Sequence, residues 1–166
     1  MSELSPQTLA NLRDWLAQEL AEPVELNQRG DQRQWLAVTY PTHRQTAFIL
    51  QPPVRRREIP LPLLVIRTTF CALPGRMAAV TPLLAMANTQ LERGRWYCHR
   101  TPPRLTMAME LPLALLTAAT LGREWLMFRD AAIAHGIELT LKTRGKRWLD
   151  VRAAIRHGAA PSGTSN

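Results

Sequence analysis

The chain has 166 residues, 46% hydrophobic and 20% charged, which is enough apolar material for one packed core and too much for low-complexity disorder. Its 21 Lys and Arg against 13 Asp and Glu give a net charge of +8, a field that favours acidic partners, whether protein, phosphate backbone or anionic surface, without choosing among them. No apolar run approaches the roughly 20 residues a membrane span needs, and the opening residues have no basic region followed by an apolar one, so neither a span nor a secretory signal is expected.

Ser5-Pro6 reads as an N-cap followed by proline at the first helical position, and Leu9, Leu12, Leu16 and Leu20 recur at spacings of three and four. This predicts an amphipathic helix ending before Pro23. Residues Trp35 to Tyr40 and Thr46 to Leu50 are rich in β-branched and aromatic side chains and predict two antiparallel strands, with Val24 to Leu26 as an optional short strand before them. Pro52, Pro53 and Pro60 surround Arg55, Arg56, Arg57 and Glu58, and that many prolines predict an exposed connection outside any ladder. A strand from Leu63 to Ala72 follows, with Leu64, Ile66, Thr68 and Phe70 on one face and Pro74-Gly75 as its stop.

Val80, Leu84, Ala87 and Leu91 lie on one stripe of the next helix, with Thr81-Pro82 as an internal start and Gly94 as the stop. Arg95 to Arg100 and Arg104 to Glu110 read as a hairpin, with Trp96 and Cys98 on one face and Leu105, Met107 and Met109 on one face. After Pro112 a long helix carries Leu121, Trp125, Phe128 and Ala132 as its apolar stripe, with Gly136 as the expected cap. The expected fold is therefore a single α+β domain in the order α-β-β-β-α-β-β-α, an antiparallel sheet with helices packed on it. It should occupy residues 1–138, leaving 139–166 as a basic C-terminal extension whose last residues, Gly158 to Asn166, are disordered.

The charge is uneven: residues 1–50 carry 4 basic and 6 acidic groups, residues 51–166 carry 17 and 7. Catalysis needs a nucleophile, base or metal cluster that converges in a cleft, and the sequence spells none. Serine occurs only at positions 2, 5, 162 and 165, and there is no Gly-rich phosphate loop. Cys98-His99 with Cys71 and His135 supply metal-type ligands, but neighbouring strand residues point to opposite faces, so both cysteines read as buried thiols of a reduced cytoplasm. Neither enzyme activity, cofactor nor metal is expected. The extension, with Arg144, Lys146, Arg147, Arg152 and Arg156 beside Trp148, suits nucleic acid or an anionic surface. No RNA-binding fingerprint of strand aromatics flanked by glycine is present.

The stretch Leu83-Leu84-Ala85-Met86-Ala87-Asn88, running through Gly94 into Arg95-Trp96-Tyr97-Cys98, is similar to the helix-to-strand passage of YbjN-type bacterial domains. With the element order over residues 5–137, the chain resembles the type III secretion chaperone-like superfamily that includes them. That resemblance implies a non-enzymatic, chaperone-like adaptor, commonly a homodimer, that binds segments of other proteins along its sheet and helix surfaces. Leu84, Leu91 and Trp96, with the cluster Arg55, Arg56 and Arg57, are then the expected partner-binding residues. The alternative is a nucleic-acid or anionic-surface binder using Arg144, Lys146, Arg147, Arg152 and Arg156.

Overall fold

The computed structural model describes residues 6–20, 22–29, 33–40, 46–56, 59–74 and 79–147. Helix α1 (Pro6–Glu19) is followed by β1 (Val24–Arg29), β2 (Arg33–Tyr40), β3 (Thr46–Arg56) and β4 (Ile59–Ala72). Then come α2 (Thr81–Thr89), β5 (Arg95–Arg100), β6 (Pro103–Pro112), a 3-10 turn at Leu113–Leu115, α3 (Ala118–Lys142) and β7 (Lys146–Arg147). The sheet order is β1-β2-β3-β4-β6-β5 with β7 attached to β4, and all pairings are antiparallel. This is the expected α+β domain, with seven strands where the expected order counted five: the optional strand at Val24 is present and runs to Arg29 as β1, and β7 is additional.

The alternate residues of the central strands face the helices, and Thr106, on the other side of β6, is buried as well. Leu36 and Val38 of β2, Leu64, Ile66 and Phe70 of β4, and Leu105, Met107, Met109 and Leu111 of β6 join one core with Leu9, Leu12, Leu16 and Leu20 of α1. Leu84 and Ala87 of α2 and Leu121, Trp125, Phe128, Ala132 and Leu139 of α3 complete it, so all three helices lie on the same face of the sheet. Each fully buried aliphatic side chain contributes about 1.5–3 kcal/mol. A register shift between Thr69 and Cys71 turns both Phe70 and Cys71 into the core, where strict alternation would have left Cys71 on the opposite face.

Two expectations are corrected. The proline-rich segment is not a loop, because β3 continues through Pro52, Pro53, Arg55 and Arg56 and pairs with β4 as far as Arg56↔Ile59. The reason is geometric. β2 pairs with β3 only up to Leu50, and β6 pairs with β4 only down to Leu63. Beyond those points the hairpin has no third strand, so a proline's missing N–H costs nothing on its outer edges, and register shifts on either side of Val54 absorb the rest. Arg57 lies outside the described residues, as do Gly75, Trp148, Arg152, Arg156 and the segment from Gly158 to Asn166.

Gly136 does not cap the last helix. α3 starts on a capping box in which Thr117 and Thr120 exchange side-chain and backbone hydrogen bonds, and it runs six residues past Gly136 to Lys142. The boundary expected at 138 therefore falls inside a helix. A Cβ at Gly136 would lie 2.6 Å from the Phe70 ring, so the glycine is there to let the helix lie against β4. The real stop is a Schellman-type turn: the Arg144 N–H reaches the Leu141 carbonyl at 3.2 Å and the Gly145 N–H the Thr140 carbonyl at 2.9 Å, with Arg144 at φ 53°. At Gly145 a Cβ would sit 2.9 Å from the Cys71 sulfur. That close approach delivers Lys146 and Arg147 to the end of β4 as β7.

Candidate functional site

Because every described helix packs on one side, the other face of the sheet carries the alternate residues. β4 places Val65, Arg67 and Thr69 there, opposite Leu64, Ile66 and Thr68. β6 contributes Arg104, Thr106, Ala108 and Glu110, and the edge strand β5 contributes Arg95, Tyr97 and His99. Register arranges them in rows across the strands, because directly paired residues share a face. One row is Arg95, Ala108, Arg67; the next is Tyr97, Thr106, Thr69; the next is His99, Arg104, Ala72 and, from β7, Lys146. Glu110 pairs with Val65 beyond the Arg95 row, and pairing through β3 and β2 puts Glu25 of β1 at the far end of the Arg95 row itself.

The rows are knit together. The Thr69 and Thr106 hydroxyls are 3.1 Å apart, and the Tyr97 and His99 rings meet edge to face with centroids 5.0 Å apart and planes at 63°. Partial burial raises the Tyr97 phenol above its ordinary pKa, while the charges of Arg67 and Arg104 and a hydrogen bond from Arg67 act against that rise. His99 is held below its usual range, first by partial burial and then by Arg104 and Arg67, so its ring is neutral at pH 7. Burial leads both shifts, and the positive charge of Arg67 and Arg104 deepens the one at His99 while opposing the one at Tyr97.

Toward the Arg95 row the face deepens into an open concavity of about 1250 Å³, floored by Val65, Arg67 and Ala108 and walled by the α2–β5 connection from Leu91 to Arg95. That wall is fixed from behind. Arg93 forms an ion pair with Glu124, which is buried on α3 and leaves its Oε2 without a partner. Asn88 of α2 lies alongside β5, accepting the Trp96 N–H at 2.7 Å and donating to the Trp96 carbonyl at 3.0 Å.

The partner-binding residues expected from the sequence do not form this site. Leu84 is 9% and Trp96 2% exposed, both with their side chains in the core; Leu91 and Trp96 border the concavity and Leu84 does not. Arg55 and Arg56 sit on β3. Of the expected anion-binding set, Arg144 is exposed in the turn after α3, and Lys146 and Arg147 are exposed on β7. Register puts Lys146 level with Arg104 and His99 and puts Arg147 level with Cys71. Sequence reasoning missed Arg67, Arg95, Tyr97, His99 and Arg104. The signal was the alternate set of each strand, but only register shows that three strands bring theirs together.

Cys71 is buried, and burial raises its thiol pKa; Cys98 is only partly buried, and the same cause raises it too. Among the described residues no three His, Cys, Asp or Glu side chains come together as metal ligands, and no helix is long and apolar enough to cross a membrane.

No protein-family model and no curated protein matches this chain. Solved structures do. The chain is similar to YbjN from E. coli, described as a candidate transcription regulator, with 14% identity and a TM-score of 0.57 over 87% of this chain and 98% of that one. It is similar too to an uncharacterized protein from Methanothermobacter thermautotrophicus, at 14% identity and a TM-score of 0.55 over 84% of this chain and 99% of that one. At this identity the likeness is one of architecture, and the chain has a YbjN-like α+β fold.

Proposed function

We propose that this chain is a non-enzymatic binding protein that receives an anionic partner on the open face of its sheet. The observation carrying this reading is the convergence of Arg67, Arg95, Arg104 and Lys146 from four strands onto one face, against Glu110 in the row beyond Arg95 and Glu25 at the distant β1 edge. Cations held on paired strands are positioned at little entropic cost, unlike those of a solvated loop. A heparin column tests it. Arg67→Ala and Arg104→Ala should each elute at clearly lower salt than the unaltered protein, whereas Arg13→Ala, on α1 across the sheet from this face, should elute with it. Equal shifts for all three, or none, would remove the face as the site.

A second reading keeps the adaptor role of the type III secretion chaperone-like superfamily, in which a polypeptide segment or a second copy of the chain adds as a strand. It is favoured by β1, which among the described residues pairs only with β2 and ends the sheet with Leu26 46% exposed. Light scattering after size exclusion should then give a mass near twice 18.8 kDa, and Leu26→Lys should return it to one. A protein that is monomeric at high concentration has no such dimer.

A further inference from the structure

We propose that the anionic partner of the open face is a single-stranded nucleic acid, whose bases stack on Tyr97 and His99 while its phosphates engage Arg67 and Arg95 on one side of these rings and Arg104 and Lys146 on the other. This rests on the reading of the face as an anion site and goes further by requiring unpaired bases. An acidic polypeptide would need only the cations.

The argument is the combination and its order. Alternate residues along a strand lie about 7 Å apart, so Arg95, Tyr97 and His99 present a cation and two rings in sequence along the outer strand. Arg67 and Arg104 occupy the rows of the first and last of these on the neighbouring strands, and Lys146 extends the last row through Ala72. Tyr97 and His99 are half-buried over the buried Thr106, and rings so held on an antiparallel sheet take unstacked bases because every base has a π-face, while flanking arginines track the backbone. A duplex hides those faces. The neutral His99 ring, surrounded by guanidinium charge, suits stacking rather than competition for phosphate.

Fluorescence anisotropy with labelled 12-nucleotide oligo-U RNA, oligo-dT DNA and a duplex of the same length, beside a labelled polyglutamate, tests this. A single-stranded probe should bind more tightly than the duplex, and the RNA and DNA arms tell which backbone is preferred. Tyr97→Leu should weaken single-strand binding by about tenfold and Tyr97→Phe by less than about twofold, since stacking is worth about 1–3 kcal/mol per base. With four cations engaged, the logarithm of affinity should fall against that of salt with a slope of about −3, and Arg104→Gln should flatten it by about 0.7. If heparin retention depends on Arg67 and Arg104 while polyglutamate or duplex binds as well as the single strands, or Tyr97→Leu changes nothing, this inference fails and the anion site stands. If Arg67→Ala and Arg104→Ala leave heparin retention unmoved as well, both fail.

Discussion

Gly136→Ala should destabilise the protein by about 1–3 kcal/mol, against the usual direction for an interior helical glycine. In an open helix this exchange gains about 1 kcal/mol from backbone entropy. Here the new methyl would stand 2.6–2.7 Å from three atoms of the Phe70 ring, well inside van der Waals contact. Neither side can give cheaply: Phe70 is a core residue packed edge to face on Trp96 with centroids 6.2 Å apart, and α3 is fixed on either side by buried Ala132 and Leu139. Overpacking of this kind costs more than propensity returns.

Urea unfolding measures the sign. Gly136→Val, larger and β-branched, should lose more than Gly136→Ala, and adding Phe70→Leu to Gly136→Ala should recover about 1 kcal/mol or more relative to the sum of the single changes. An Ala variant as stable as the parent would mean that α3 can lift from β4 at no cost, and that the close approach is not what positions its last two turns. Those turns matter to the open face, because they lead through the Arg144 and Gly145 turn into Lys146.

Much of this was legible in the sequence, and what was not has common causes. The leucine stripe of α1, the Leu64, Ile66 and Phe70 face of β4 and the Trp125 stripe of α3 follow from periods of 3.6 and 2, which any burial surface imposes. Pro52-Pro53 and Gly136 misled because each is read locally as a breaker. The prolines are tolerated where a hairpin outruns its neighbours, and the glycine where a helix must touch a phenyl ring; both are facts of tertiary placement. The candidate site was hidden for the same reason. Arg67, Tyr97, His99 and Arg104 are unremarkable as single residues on three strands, and β7 is only two residues long, below what any periodicity can reveal. The likeness of Leu83 to Cys98 to a YbjN-type passage did mark a real junction, although its conspicuous apolar residues, Leu84 and Trp96, serve the core.

Asn88→Ala should cost about 2–4 kcal/mol and expose an edge that the parent keeps closed. β5 is the last strand on its side of the sheet, so the outward N–H and carbonyl of Trp96 have no strand to pair with. The Asn88 carboxamide supplies both a donor and an acceptor, at 3.0 and 2.7 Å, imitating one residue of a neighbouring strand from the side of a helix. Removing it leaves two backbone groups without partners, and because both are only part-buried each costs about 1–2 kcal/mol. Asn88→Asp keeps the acceptor and loses the donor, so it should fall between the parent and the alanine variant in urea unfolding. An unpaired edge also invites another strand, so Asn88→Ala should show concentration-dependent association in size exclusion that the parent lacks at the same concentration. If the alanine variant unfolds with the parent and elutes unchanged, the amide is not what closes β5, and strand addition beside Trp96 becomes available to a partner after all.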